Sequence, residues 1–200
     1  MGQRSQIYIK YHDKLIVANY YQWNYGERMI SRTRSIIEQI NEYLDNKFYF
    51  YFTEPRDSEK LRRFCDVNFD YRDIVMSVDI LKSWKDDLSN SLKYEVTNGW
   101  KPEEKSDYVF NYWDNNDGQL LIWITDNNKI KYVFAQPSYP SSEEHMLSRI
   151  GDATEYIKWD IGDSYDELPP DDKETTQNNI EYLKQFTVMT QDEIDKFVEV

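Results

Sequence analysis

Alternating apolar and polar positions open the chain and predict two antiparallel strands. The segments Ser5–Tyr11 and Leu15–Trp23 each place every second residue on one face, which is the period of an extended strand. A short polar break at residues 12–14 separates them. Two alternating runs joined in this way are typical of a β-hairpin.

A helix is predicted directly after the hairpin. Asn24 and Glu27 stand three residues apart and resemble a capping box, with Asn24 in the cap position. To about residue 45, the residues at helical spacing are Met29, Thr33, Ile36, Ile37, Ile40 and Leu44. Three arginines fall largely off this stripe: Arg28, Arg32 and Arg34.

Patterning is less regular in the next third of the chain. The aromatic run Phe48–Phe52 predicts a short strand buried on both sides, and Glu59–Phe64 predicts a short helix. Apolar residues at helical intervals predict another helix over 70–88. The polar stretch 89–106 predicts a long loop, and a weak domain boundary falls near 90–106.

Three aromatic and β-branched runs predict a β-meander over Tyr108–Trp113, Leu120–Thr125 and Ile130–Phe134. Their connections, residues 114–118 and 126–128, are rich in Asn, Asp and Gly, which tolerate the positive φ of tight turns.

The last part of the chain predicts helices separated by an acidic turn. Ser142–Ile150 predicts one helix, and Asp171 or Asp172 is expected to cap another. A capping box from Thr190 to Glu193 precedes the last helix.

These elements predict one α+β domain over residues 1–200, with an acidic helical part at 150–200. Its antiparallel sheet would combine the N-terminal hairpin with the three-stranded meander, and helices would cover it.

The charge is unevenly distributed along the chain. Residues 1–64 contain 11 basic and 8 acidic residues, whereas residues 65–200 contain 13 and 29, and the formal net charge is −13. Duplex-DNA binding needs a basic footprint, so direct binding to duplex DNA is not expected. Acidity also keeps an aromatic-rich protein soluble, which is the general alternative to a specific role.

The amino-acid composition bears on disulfide bonds, metal sites and membrane spans. Cys65 is the single cysteine, so an intramolecular disulfide framework is excluded and a cytoplasmic location is expected. With only His12 and His145 beside it, no zinc site or other cofactor is predicted. The longest apolar or aromatic run, Phe48–Phe52, is too short to cross a membrane.

Two groups of residues are candidate binding sites, and the sequence contains no catalytic motif. The first group is acidic: Asp160, Asp163, Asp166 and Glu167. Such carboxylates suit hard cations, but a solvated acidic loop explains them as well. The second group combines aromatic, amide and guanidinium side chains, which dominate protein interfaces: Tyr20, Gln22, Tyr25, Arg28 and Arg32.

The residues 1–8 and 15–32, together with Phe64–Asp70 and Asp114–Gly118, resemble a family of small proteins from phages, prophages and mobile elements of Gram-positive bacteria. The likeness is strongest over the first third of the chain. It implies a context rather than an activity, because proteins of this size and origin often act on host defence systems.

Three functions follow as hypotheses. The first is a non-enzymatic, anti-CRISPR-like inhibitor whose acidic half occupies a basic surface of a host nucleic-acid-handling complex, such as a CRISPR nuclease. The second is a carboxylate-rich, metal-dependent enzyme acting on nucleic acid or nucleotides. The third is a phage structural or assembly protein that forms homo-oligomers.

Overall fold

The computed structural model describes residues 3–45, 77–79, 110, 116–138 and 145–199, which contain a mixed sheet with helices on both faces. The described strands are β1 (Arg4–Tyr11), β2 (Lys14–Gln22), β3 (Ser77–Asp79), β4 (Gln119–Ile124), β5 (Ile130–Pro137), β6 (Leu147–Gly151) and β7 (Thr187–Val188). The described helices are α1 (Gly26–Leu44), α2 (Ala153–Asp160), a 3-10 helix (Gly162–Glu167), α3 (Pro170–Leu183) and α4 (Gln191–Val198). The predicted α+β class is confirmed.

The strand β1 lies at the centre of the sheet, whose order is β3-β2-β1-β4-β5-β6 with β7 beside β5. The hairpin β1–β2 and the antiparallel pair β4–β5 form as predicted. However, β1 pairs with β4 in parallel, with Gln6 opposite Gln119, and β5 pairs with β7 in parallel. The prediction of a purely antiparallel sheet is therefore wrong, because alternation indicates strands but not their relative direction.

Both faces of the sheet are buried, so β1 and β2 are largely apolar or aromatic on both sides. Ile7 and Ile9 belong to the core on the side of α1, α2 and α3. Tyr8 belongs to a second core on the other side, where α4 contributes Ile194 and Phe197. The described part of the domain thus has three layers, with the sheet in the middle.

The buried residues of α1 include all those predicted from the helical spacing, but its N-cap is not the predicted residue. Tyr25 is the N-cap residue, without a side-chain cap hydrogen bond. Asn24 instead donates to Ser5 Oγ at 3.0 Å and is buried. The sequence pattern assigns the Asn24 side chain to capping, but its amide instead forms a hydrogen bond to the first strand.

Three further predictions fail, two of them where pairing with a neighbouring strand overrides the local pattern. Ser77–Asp79 is a strand paired with β2, not part of a helix over 70–88. Phe110, in the first predicted meander strand, is helical. Leu147–Gly151 lies along β5 as a strand, although Ser142–Ile150 predicts a helix.

The sequence predicts caps for two helices near the end of the chain, and one of the two predictions is correct. The predicted capping box of Thr190 and Glu193 is confirmed at the start of α4. Neither Asp171 nor Asp172 caps α3, because the helix begins one residue earlier with Pro170 and has Pro169 as its N-cap. Proline suits the first helical position, since it has no N–H group to satisfy there.

Several predicted features lie outside the described residues: the strand Phe48–Phe52, the helix Glu59–Phe64, and the loop and boundary near 90–106. Among the helices that are described, none has the length and apolar character needed to cross a membrane.

A buried lysine attaches α4 to the sheet. Lys10 of β1 is 4% exposed, and its Nζ donates to the carbonyls of Lys196, Phe197 and Glu199 at 3.0, 3.1 and 2.8 Å. Burial lowers the pKa of Lys10. The ammonium therefore satisfies carbonyls at the end of α4, which the helix itself leaves without donors.

Replacing Lys10 by methionine tests this attachment. Lys10→Met keeps an unbranched, mostly apolar side chain but removes the donors, so buried carbonyls lose their partners. We expect the free energy of unfolding to fall by about 2 kcal/mol, as measured by urea denaturation.

Lys14→Met is the matched control, because Lys14 lies on the same hairpin and is exposed. Its effect should stay within about 0.5 kcal/mol. Equal urea midpoints for the two variants would contradict the structural role of Lys10.

Candidate functional site

A cavity of about 490 Å³ lies between α2, the 3-10 helix and α3. A capping box of Asp152 and Glu155 fixes the start of α2. Gly162, with φ of 50°, turns the chain out of α2 and into the 3-10 helix, and Pro170 then starts α3. The cavity volume is within the range of small-ligand and side-chain pockets.

The lining combines an apolar floor with polar groups. Ile157 of α2 is buried, and Ile180 and Tyr165 are partly buried beside it. Thr154 and Gln177 add groups that can donate and accept hydrogen bonds. An apolar floor with a few polar groups around it is the usual form of a binding pocket.

Charged residues of both signs complete the lining. Asp163 and Asp166 of the 3-10 helix contribute two carboxylates, and both residues are exposed. Lys184 is held by Glu181, with 2.8 Å between Nζ and Oε2. Lys158 of α2 is the remaining charged lining residue.

The cavity opens within a strongly acidic surface. Residues 162–174 contain six acidic residues and one lysine, and all six acidic residues are exposed: Asp163, Asp166, Glu167, Asp171, Asp172 and Glu174. We call these six residues the acidic surface. Lys173 lies 3.8 Å from Asp166 Oδ1, but the Asp166 side chain remains 90% exposed. This contact therefore leaves the carboxylate open to a partner.

Asp160 is separate from the acidic surface, although the sequence groups it with Asp163, Asp166 and Glu167. Its Oδ2 accepts hydrogen bonds from the backbone N–H of Gly26 at 2.6 Å and from the Tyr156 hydroxyl at 3.1 Å. Burial raises the pKa of the Asp160 carboxyl. Asp160 therefore links α2 to the start of α1, and its role is structural.

The second predicted group does not form one exposed surface. Tyr20 is 4% exposed and belongs to the second core, and Tyr25 is the N-cap of α1. The Arg32 guanidinium lies 5.3 Å from the Tyr21 ring centroid. Arg28 is exposed.

Gln22 is partly exposed, whereas the side chains of Arg32 and Arg34 contact other residues of the protein. Gln22 lies at the end of β2. Arg32 Nε donates to Asn24 Oδ1 at 3.0 Å, which orients its guanidinium within the fold. The third arginine, Arg34, donates to Asn179 of α3 at 3.2 Å and lies over the Tyr182 ring. Two of the three arginines that lie off the apolar stripe of α1 thus contact the protein itself.

Sequence reasoning missed Trp23 as an exposed residue. The alternating pattern places it inside the second strand, yet it follows β2 with φ of 63° and a 46% exposed side chain. The nearby Gly26, also at positive φ, is a local signal that the strand has ended.

A metal site would require several acidic or other ligating side chains close together, near β4 or in the rest of the described chain. Asp117, in the connection before β4, is buried and accepts a hydrogen bond from the backbone N–H of Arg4. Across the described ranges, no three His, Cys, Asp or Glu residues lie together in a group that could hold a metal ion.

Comparisons with protein-family models, with curated proteins and with solved structures find no match to this chain.

Neutralising Asp160 tests its structural role. A carboxyl whose pKa is raised on folding favours the folded state at low pH, and this contribution is lost as the pH rises above 3.8 and through the raised value. In Asp160→Asn the amide oxygen still accepts from Gly26, and no charge is buried. We expect the stability of Asp160→Asn relative to the wild type to increase from acidic to neutral pH, as measured by urea denaturation.

Asp160→Ala removes the acceptor as well and should be less stable than Asp160→Asn at every pH. A stability difference between Asp160→Asn and the wild type that does not change with pH would contradict this interpretation.

Proposed function

We propose that this chain is a non-enzymatic interaction protein that binds a basic surface of a nucleic-acid-handling protein complex and blocks it. The observation that carries the proposal is the acidic surface, where six exposed carboxylates and one lysine occur within residues 162–174. The resemblance of residues 1–8 and 15–32 to proteins of mobile elements makes a host defence complex, such as a CRISPR nuclease, the partner class that we favour.

The density of these carboxylates supports competition with a nucleic acid. Six carboxylates occur within residues 162–174, and a nucleic acid likewise carries closely spaced negative charges along its backbone. A cationic groove that binds phosphates is therefore suited to bind this surface.

The electrostatics also define how such binding should behave. Charges on an exposed surface act over about 10 Å at moderate salt. Complementary charge raises the association rate and excludes partners of the wrong sign. Binding should therefore weaken strongly as the salt concentration rises.

The experiment has two stages. The tagged chain is first used to capture proteins from the lysate of a Gram-positive host at low and high salt. Each captured protein is then purified, and its binding to a labelled oligonucleotide is measured with and without the chain. We expect the wild-type chain to displace the oligonucleotide, with an effect that decreases as salt rises.

Charge reversal locates the interaction. The triple variant Asp163→Lys, Asp166→Lys, Glu167→Lys should lose displacement, because it replaces carboxylates of the acidic surface with cations. Asp126→Lys is the matched control, since Asp126 is exposed in the β4–β5 turn and lies outside the acidic surface. It should displace the oligonucleotide as the wild type does.

Two results would contradict the proposal. Unchanged displacement and salt dependence in the triple variant would exclude the acidic surface as the binding site. Capture of further copies of this chain alone, together with concentration-dependent oligomers, would favour the assembly function instead.

A further inference from the structure

We propose that the cavity between α2, the 3-10 helix and α3 receives one arginine side chain of the partner. This inference rests on the proposed function, because it identifies the group that anchors the basic partner within the acidic surface. The apolar floor of the cavity and the charges around it both suit an arginine side chain.

The floor suits the aliphatic part of a long side chain. Ile157 is 4% exposed and lies between the cavity and the main core, so it forms a rigid apolar base. Ile180 contributes a second branched side chain from α3. Arginine carries three methylene groups before its charged head, and such stems commonly pack on apolar surfaces.

The upper lining suits a planar cation. Tyr165 is the aromatic residue of the lining, and guanidinium groups stack favourably on aromatic rings. Asp163 and Asp166 contribute carboxylates, which can accept paired hydrogen bonds from a guanidinium. Lysine has no planar group and would use this arrangement less well.

The two lysines of the lining differ in their effect. Lys184 already bonds to Glu181, so its charge is balanced within the protein. Within the part of the chain that the structure describes, Lys158 forms no ion pair, and its charge opposes an incoming guanidinium. Removing this charge should therefore strengthen binding of a cation and weaken binding of an anion, which makes the sign of the effect diagnostic.

The test uses N-acetyl-arginine amide, with N-acetyl-citrulline amide as a neutral probe of nearly the same shape and N-acetyl-glutamate amide as an anion. Each is titrated into the full isotopically labelled chain, and NMR shifts are followed for the methyl groups of Ile157 and Ile180 and the N–H of Gly162. We expect saturable shifts with the arginine probe and much smaller ones with citrulline.

Variants test the charges without removing the apolar floor. The double variant Asp163→Asn, Asp166→Asn should weaken arginine binding about three- to tenfold, because it removes two exposed carboxylates. Lys158→Gln should tighten binding. Asp126→Asn is the control and should have no effect, since it lies outside the cavity.

The outcomes separate this inference from the proposed function. Equal binding of arginine and citrulline, or binding of the glutamate probe that is lost in Lys158→Gln, would overturn the arginine pocket even if the chain displaces an oligonucleotide. Arginine binding at the cavity without displacement of any oligonucleotide would support the pocket and contradict the proposed function.

Discussion

The parallel pairing of β1 with β4 is the constraint on which the described domain depends. It joins the N-terminal hairpin to the later strands, with Gln6 opposite Gln119 and Tyr11 opposite Ile124. It also places β1 between two neighbours, so its side chains face the helices α1, α2 and α3 on one side and α4 on the other. The three layers follow from this arrangement.

The sequence predicts elements well where one local pattern governs them. The hairpin, the stripe of α1 and the capping box at Thr190 depend on neighbours within a few residues, and all three are confirmed. Several failures occur where pairing with another segment decides the structure. Leu147–Gly151 is a strand because β5 offers an open edge, and no local pattern encodes the presence of that edge.

The candidate site shows the same division between local and distant effects. Asp163, Asp166 and Glu167 are exposed, as an acidic run in a turn-rich segment predicts. Asp160 stands only three residues before Asp163, yet it is bound to Gly26, which is distant in sequence. The cavity could not be predicted, because its lining comes from three helices whose relative positions depend on the sheet beneath them.

The parallel pair also has a kinetic consequence. Gln6 and Gln119 are 113 residues apart in sequence, so their strands meet only after a long loop has closed. The two antiparallel hairpins form from local contacts, and each then has an unpaired edge until the other docks. Such edges can pair with another copy of the chain during this interval. The net charge of −13 makes two partly folded chains repel each other, which favours pairing within one chain over aggregation.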